Sequence, residues 1–184
     1  EANLHVAGEL KQQRLIDRIT EQSNVLFVIS AGNEGPGINT VGSPSTARRA
    51  LSVGAAASRS LIERQYQWPA KGKVGPVTPS DEDNDFMLFF SSRGPTAAGG
   101  FKPNLSAPGT ELSSVQLNSA PGQRSGLDVY WGTSMAAPSA TGAIALLLDA
   151  GKRYNEAHPE AKLPLDALTL QKILIRSEEH TSEL

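Results

Sequence analysis

The 184-residue chain contains no cysteine. Disulfides and thiolate metal sites are therefore excluded, and cysteine usage says nothing of the redox compartment. Aromatic residues make up only 5% of the chain, and three histidines are present: His5, His158 and His180. Neither sign of charge dominates. Lys and Arg total 17 against 19 Asp and Glu, a net charge of −2, so there is no electrostatic reason to expect nucleic acid or an anionic membrane as partner. No apolar run reaches transmembrane length. No Gly-x-Gly-x-x-Gly or P-loop follows a strand-like run, which makes a nucleotide-binding α/β domain a weak reading. Residue 1 is not Met and reads as mid-domain sequence, so the lack of a leader carries no information on compartment.

What the chain does have is Gly 17 and Pro 12 among 39% hydrophobic residues, the make-up of a loop-rich globular domain or a piece of one. Gly8 to Ser23 reads as a helix with Leu15, Ile16 and Ile19 as its apolar stripe, ended by Asn24. Val25 to Ile29 is a continuous apolar run, the pattern of a strand covered on both faces. Ala50 to Ala55 reads as a second buried strand, and Met87 to Phe90 as a third. Helices alternating with buried strands imply an α/β fold with a parallel sheet. The stretch 65–85 is irregular, with three prolines and the acidic run Asp81-Glu82-Asp83-Asn84-Asp85, and reads as a surface insertion. The run offers oxygen ligands of the kind calcium takes, but it lacks EF-hand spacing, and solvated charge is the reading adopted. No cofactor and no metal site are expected.

Two stretches carry chemistry. Gly132-Thr133-Ser134-Met135-Ala136-Ala137-Pro138 precedes the run Ser139 to Leu148, which has almost no polar face and is expected to form a helix buried on most sides. Ser134 is expected just before that helix as its N-cap, where a hydroxyl meets the positive end of the dipole and suits a nucleophile. Pro138 is expected near the first turn. No Gly-x-Ser-x-Gly elbow is present. The second stretch, Ser30-Ala31-Gly32-Asn33-Glu34-Gly35, leaves the first strand at its carboxyl end, where α/β sheets place ligands. There the neutral amide of Asn33 can donate to an oxyanion, although Asn among glycines also suits a plain turn.

Both stretches resemble segments of the subtilisin-like serine proteases, the subtilases. So do Thr40-Val41-Gly42-Ser43-Pro44, Ser91-Ser92-Arg93-Gly94-Pro95 and Lys102-Pro103-Asn104-Leu105-Ser106-Ala107-Pro108-Gly109. The matches run in family order from Ser30 to Leu148. The resemblance implies a three-layer subtilisin-like α/β fold with a mostly parallel central sheet, present as a truncated fragment. It implies Ser134 as nucleophile, with Asn33 and the Ser134 N–H as oxyanion donors. Ser30, Ala31 and Gly32 would form one wall of the substrate pocket, and Gly42 and Ser43 would lie near its floor. The partner is then a peptide or protein substrate. Arg93 is read as structural.

The opening Glu1-Ala2-Asn3-Leu4-His5 and the segment from Ser30 to Pro44 look similar to the tripeptidyl-peptidase II-like branch. There a Glu helps hold the substrate's free amino terminus, and Glu1 is the matching position, a carboxylate suited to an ammonium. A subtilase triad runs Asp, His, Ser along the chain. His5 lies too close to Asn33 and His158 and His180 follow Ser134, so none is assigned as base. Residues 1–175 are thus expected to be the C-terminal part of a peptidase domain whose triad Asp and His lie upstream. An endopeptidase is the expected activity; a tripeptidyl-peptidase and a non-catalytic binding or scaffold protein are the alternatives. After the amphipathic helix marked by Leu165, Leu168, Leu170, Ile173 and Leu174, residues 176–184 resemble a translated sequencing adapter and are expected to be non-native.

Overall fold

Leu51-Ser-Val-Gly-Ala-Ala-Ala-Ser58 is a strand of small, mostly apolar side chains, buried without a break from Leu51 to Ala55. Such a strand accepts cover on both faces, and the sheet is built around it. In the computed structural model, which describes residues 2–58, 85–115 and 126–179, it is β2. β1 (Val28–Ser30) pairs with it in parallel, Ser30 opposite Val53. β4 (Leu105–Pro108) pairs in parallel on the other edge, Val53 opposite Leu105. β3 (Asp85–Met87) runs antiparallel beside the end of β2, on the β1 edge. β5 (Thr110–Val115) and β6 (Gly126–Trp131) form a separate antiparallel pair. The architecture is α/β with a mixed sheet, parallel at β1, β2 and β4.

Three helices are described: α1 (Ala2–Ser23), α2 (Thr133–Ala157) and α3 (Ala167–Glu179). α2 lies on β1, β2 and β4. Its inward residues Ala136, Ala137, Ala140 and Ile144 recur at helical spacing and meet Leu51, Val53, Ala55, Leu105 and Ala107 in one core. The alanines keep the helix close to the sheet. Leu170 of α3 joins the same core. Asn24, at φ 53, ends α1 in the left-handed region, and its Oδ1 accepts from the Ala167 N–H at 2.7 Å. That bond ties the end of α1 to the start of α3. Asp166 caps α3 through Thr169 N–H (3.0 Å) and Thr169 Oγ1 (2.6 Å). These donors hold the Asp166 carboxyl below the usual range.

Several expectations need correction. α2 is not buried on most sides. Leu146 is 74% exposed, and Gly142, Ala143 and Ala145 face outward. Among the described residues, its cover comes from one sheet face and α3, with brief contacts from β5 and β6. α1 begins at Ala2 rather than Gly8, and Leu15 lies outside its inward face, where Ile16, Ile19 and the buried Thr20 sit. β1 starts at Val28 and is only half-buried, while Val25 is exposed. Phe89 and Phe90 form a turn, not a strand, because the Phe90 carbonyl swings over to accept the Gly35 N–H at 2.8 Å. The expected insertion and its acidic run lie outside the described residues as far as Asn84, and Asp85 opens β3. Residues 180–184 also lie outside them, while α3 continues through Arg176 to Glu179.

Lys102 is buried in the fold, its ammonium donating to the Ala50 carbonyl (2.6 Å) and to Asn104 Oδ1 (2.9 Å). Loss of hydration pushes it from the ordinary 10.5 down to about 8, against a weaker opposing pull from Asp17. Between these values the folded chain binds fewer protons at this site than the unfolded chain, so its contribution to stability rises with pH. Denaturant titrations from pH 8 to 10.5 should show the midpoint climbing, and Lys102→Met should flatten the slope. An equal slope in the variant would assign the effect to another group.

Candidate active site

The site forms where β1 ends and α2 begins. Ala31 extends the β1 pairing through its N–H to the Val53 carbonyl (2.9 Å), and the chain then turns at Gly32, φ 112. A side chain here is doubly opposed: the backbone lies in the left-handed region, and a Cβ would stand 2.8 Å from Ser92 Oγ. The turn throws Asn33 out of the sheet toward α2. On the other side, Gly109 leaves β4, and its carbonyl accepts the Gly132 N–H at 2.9 Å. This bond sets the start of α2 beside the carboxyl ends of the parallel strands, where open α/β sheets keep their ligand sites.

Asn33 Oδ1 accepts two hydrogen bonds at 3.0 Å, from the Thr133 N–H and from Thr133 Oγ1. A main-chain N–H can only donate, so the amide orientation is fixed with its oxygen toward Thr133. Thr133 Oγ1 in turn accepts the Gly32 N–H at 3.2 Å. Asn33 Nδ2 is left without a hydrogen-bond partner among the described residues and faces the open side. A Cβ built on Gly132 would lie 3.5 Å from Asn33 Nδ2 and 3.6 Å from the Ser134 nitrogen. The side-chain donor and the main-chain donor therefore border one common space, kept open by the missing side chain of Gly132. Its backbone, at φ 157 and ψ 162, occupies a region essentially restricted to glycine.

Ser134 is the second residue of α2 rather than its N-cap; Gly132 takes the cap position, with no side-chain cap hydrogen bond. The reason is the bond from Asn33 to the Thr133 N–H, which satisfies a free helix-terminal donor from outside the helix. Ser134 is exposed, still within the first turn and its dipole. Pro138 is the sixth residue of α2, deeper than expected, and offers no N–H to the Ser134 carbonyl four residues before it. His158 follows the far end of α2, about 36 Å away at the rise of a helix, where it stacks on Tyr154. It cannot serve Ser134. The side chain of His5 and all of His180 lie outside the described residues.

Of the other candidate residues, 30–32 and 42–43 lie on neighbouring segments. Ser30 closes β1, and the Gly42 N–H donates to the Ala31 carbonyl at 3.4 Å, so the segments 30–32 and 42–43 stand side by side. Gly42 has open room where a side chain would be. Ser43 Oγ is buried without a partner among the described residues. Glu1 lies outside the described residues. Two contributors escaped the sequence reading. Thr133 orients Asn33, and its adjacency to Ser134 was the only hint. Ser92 is wholly buried beneath the Asn33 turn; the resemblance of Ser91-Ser92-Arg93-Gly94-Pro95 to the subtilases marked its segment but not this contact.

Filling the space at Gly132 should be costly. Gly132→Ala places a methyl between the two donors and forces a glycine-only backbone, a strain of about 1–3 kcal/mol. Any turnover that uses this space is expected to fall by roughly 10²-fold, with a lowered thermal midpoint. An alanine variant with unchanged kcat would show that the space is unused.

The sequence pattern of the subtilase family matches residues 5–182. The chain is 42% identical over 150 residues to "Pyrolysin" of Pyrococcus furiosus, covering 74% of this chain and 10% of that protein. It is 38% identical over 174 residues to "Tripeptidyl-peptidase 2" of Arabidopsis thaliana, covering 85% of this chain and 12% of that protein. It thus spans about a tenth of the length of these relatives. A solved structure, "S41 Psychrophilic Protease", shares the fold at TM-score 0.53 and 21% identity, over 89% of this chain and 43% of its own. Sequence pattern, relatives and fold agree: the chain belongs to the subtilase family.

Proposed function

We propose that this chain is the nucleophile-bearing part of a serine peptidase that cleaves bonds within peptide or protein substrates. The observation that carries the reading is the common space bordered by Asn33 Nδ2 and the Ser134 nitrogen, next to the exposed Ser134 hydroxyl. Ser134 Oγ attacks the substrate carbonyl and the two donors hold the resulting oxyanion. The proton leaving Ser134 goes to an imidazole, oriented by a carboxylate, from the longer protein of which the relatives are examples. Segments 30–32 and 42–43 flank the side chain preceding the scissile bond. A tripeptidyl-peptidase is the second reading, favoured by the likeness to "Tripeptidyl-peptidase 2" over 85% of the chain.

The test is to treat the full-length protein with a fluorophosphonate probe and map the adduct by mass spectrometry. An adduct on Ser134 supports the reading; one elsewhere, or none, overturns it. Turnover of an internally quenched peptide with a blocked amino terminus then marks an endopeptidase. Release only of tripeptides from the free amino terminus of a longer peptide marks the second reading.

A further inference from the structure

Asn33 is held from two directions, and only one of them is its own side chain. Its oxygen is fixed by Thr133, at the start of α2. Among the described residues, the peptide units on either side of it are bonded by one residue on the other side. The Ser92 N–H donates to the Gly32 carbonyl at 2.9 Å, and Ser92 Oγ accepts the Glu34 N–H at 3.1 Å. Gly32 and Glu34 are the neighbours of Asn33 on either side, so Ser92 clasps the peptide units flanking it. Ser92 is fully buried. The contact is also close on the glycine side, where a Cβ on Gly32 would meet Ser92 Oγ at 2.8 Å. Further bonds continue the seam: the Gly35 N–H to the Phe90 carbonyl (2.8 Å), the Thr40 N–H to the Arg93 carbonyl (2.9 Å), and the Arg93 N–H to Thr40 Oγ1 (2.9 Å). Among the described residues of that seam, only Ser92 contributes a side chain to the backbone next to Asn33.

We infer that Ser92 is a positioning residue for the oxyanion donor: it fixes the backbone of Asn33 so that Nδ2 points into the space beside Gly132. This rests on the reading of Asn33 as that donor. A donor amide stabilises a transition state only if its direction is set before charge develops. A side-chain amide turns freely about its own bonds, so it needs both ends fixed. Thr133 fixes the tip and Ser92 the root. Ser92→Ala keeps the main-chain bond to Gly32 but removes the acceptor for Glu34, which frees the turn on one side of Asn33. The loss should fall on the chemical step and spare substrate binding.

The experiment is a double-mutant cycle on the full-length protein, reading kcat and KM on a peptide substrate for Ser92→Ala, Asn33→Ala and the pair. Ser92→Ala is expected to lower kcat by roughly tenfold and change KM by less than about twofold. In the Asn33→Ala background the same change is expected to alter kcat by less than about twofold, because nothing remains to be positioned. A purely structural serine would give the same loss in both backgrounds, and that result overturns the inference. So does a Ser92→Ala enzyme with unchanged kcat. If Asn33→Ala itself leaves kcat intact, the oxyanion reading fails first and takes this inference with it. Should Ser92→Ala not fold, Ser92→Cys keeps the bulk with a weaker acceptor, and the cycle is read on that pair.

Discussion

Ser134→Ala should reduce kcat by ~10⁶ and abolish fluorophosphonate labelling, the size of loss known for the nucleophile of a subtilisin and taken over from that enzyme. Few substitutions of this magnitude are so free of structural side effects. Ser134 is exposed, and among the described residues its own hydroxyl caps no helix donor. Alanine is a better helix former than serine. The variant should therefore fold as before, with a thermal midpoint equal to the parent or slightly higher. Circular dichroism melts beside kcat measurements check both halves of the expectation. Residual turnover within about tenfold of the parent would move the chemistry to another residue and leave Ser134 an ordinary helix position.

Asn33 is expected to be the next most costly residue, with a fall in kcat of ~10²–10³ on losing its amide donor. That range, too, is the one found for a subtilisin and is taken over from it. Here the structure separates two effects. Asn33→Ala removes Oδ1 as well as Nδ2, and so strips the buried Thr133 of the acceptor for its N–H and hydroxyl. An unpaired buried donor costs about 1–3 kcal/mol, so the alanine variant should also melt lower. Asn33→Asp keeps an oxygen for Thr133 and replaces the donor by a second oxygen. It should hold the melting point better while losing at least as much kcat, since a carboxylate now faces the forming oxyanion. Equal loss of stability and activity in both variants would make Asn33 a brace for α2 rather than a catalytic donor.

The parts of this molecule that could be read in the sequence are those set by short-range rules. β2 declared itself because an uninterrupted row of small apolar residues suits a strand covered on both faces. α3 did so through Leu170 and its helical neighbours, and the end of α1 through Asn24. Ser134 and Asn33 were reached because each sits in a local string of distinctive residues. What stayed hidden depends on partners far along the chain. The cap of α2 is moved to Gly132 by an asparagine 100 residues earlier. Phe89 and Phe90 leave the expected strand because the Phe90 carbonyl is claimed by Gly35. The outward face of α2 reads as core from its composition alone; which side meets the sheet is decided by the positions of Ala136, Ala140 and Ile144.

The bonds between Asn33 and Thr133 also tie the proposed site to the closure of the fold. They close a loop of 100 residues, and the logarithmic part of the closure entropy alone is about 4 kcal/mol. That cost has to be offset by the burial that α2 gains against β1, β2 and β4. On the proposed reading, a chain in which these distant segments have not joined lacks the amide donor beside Ser134.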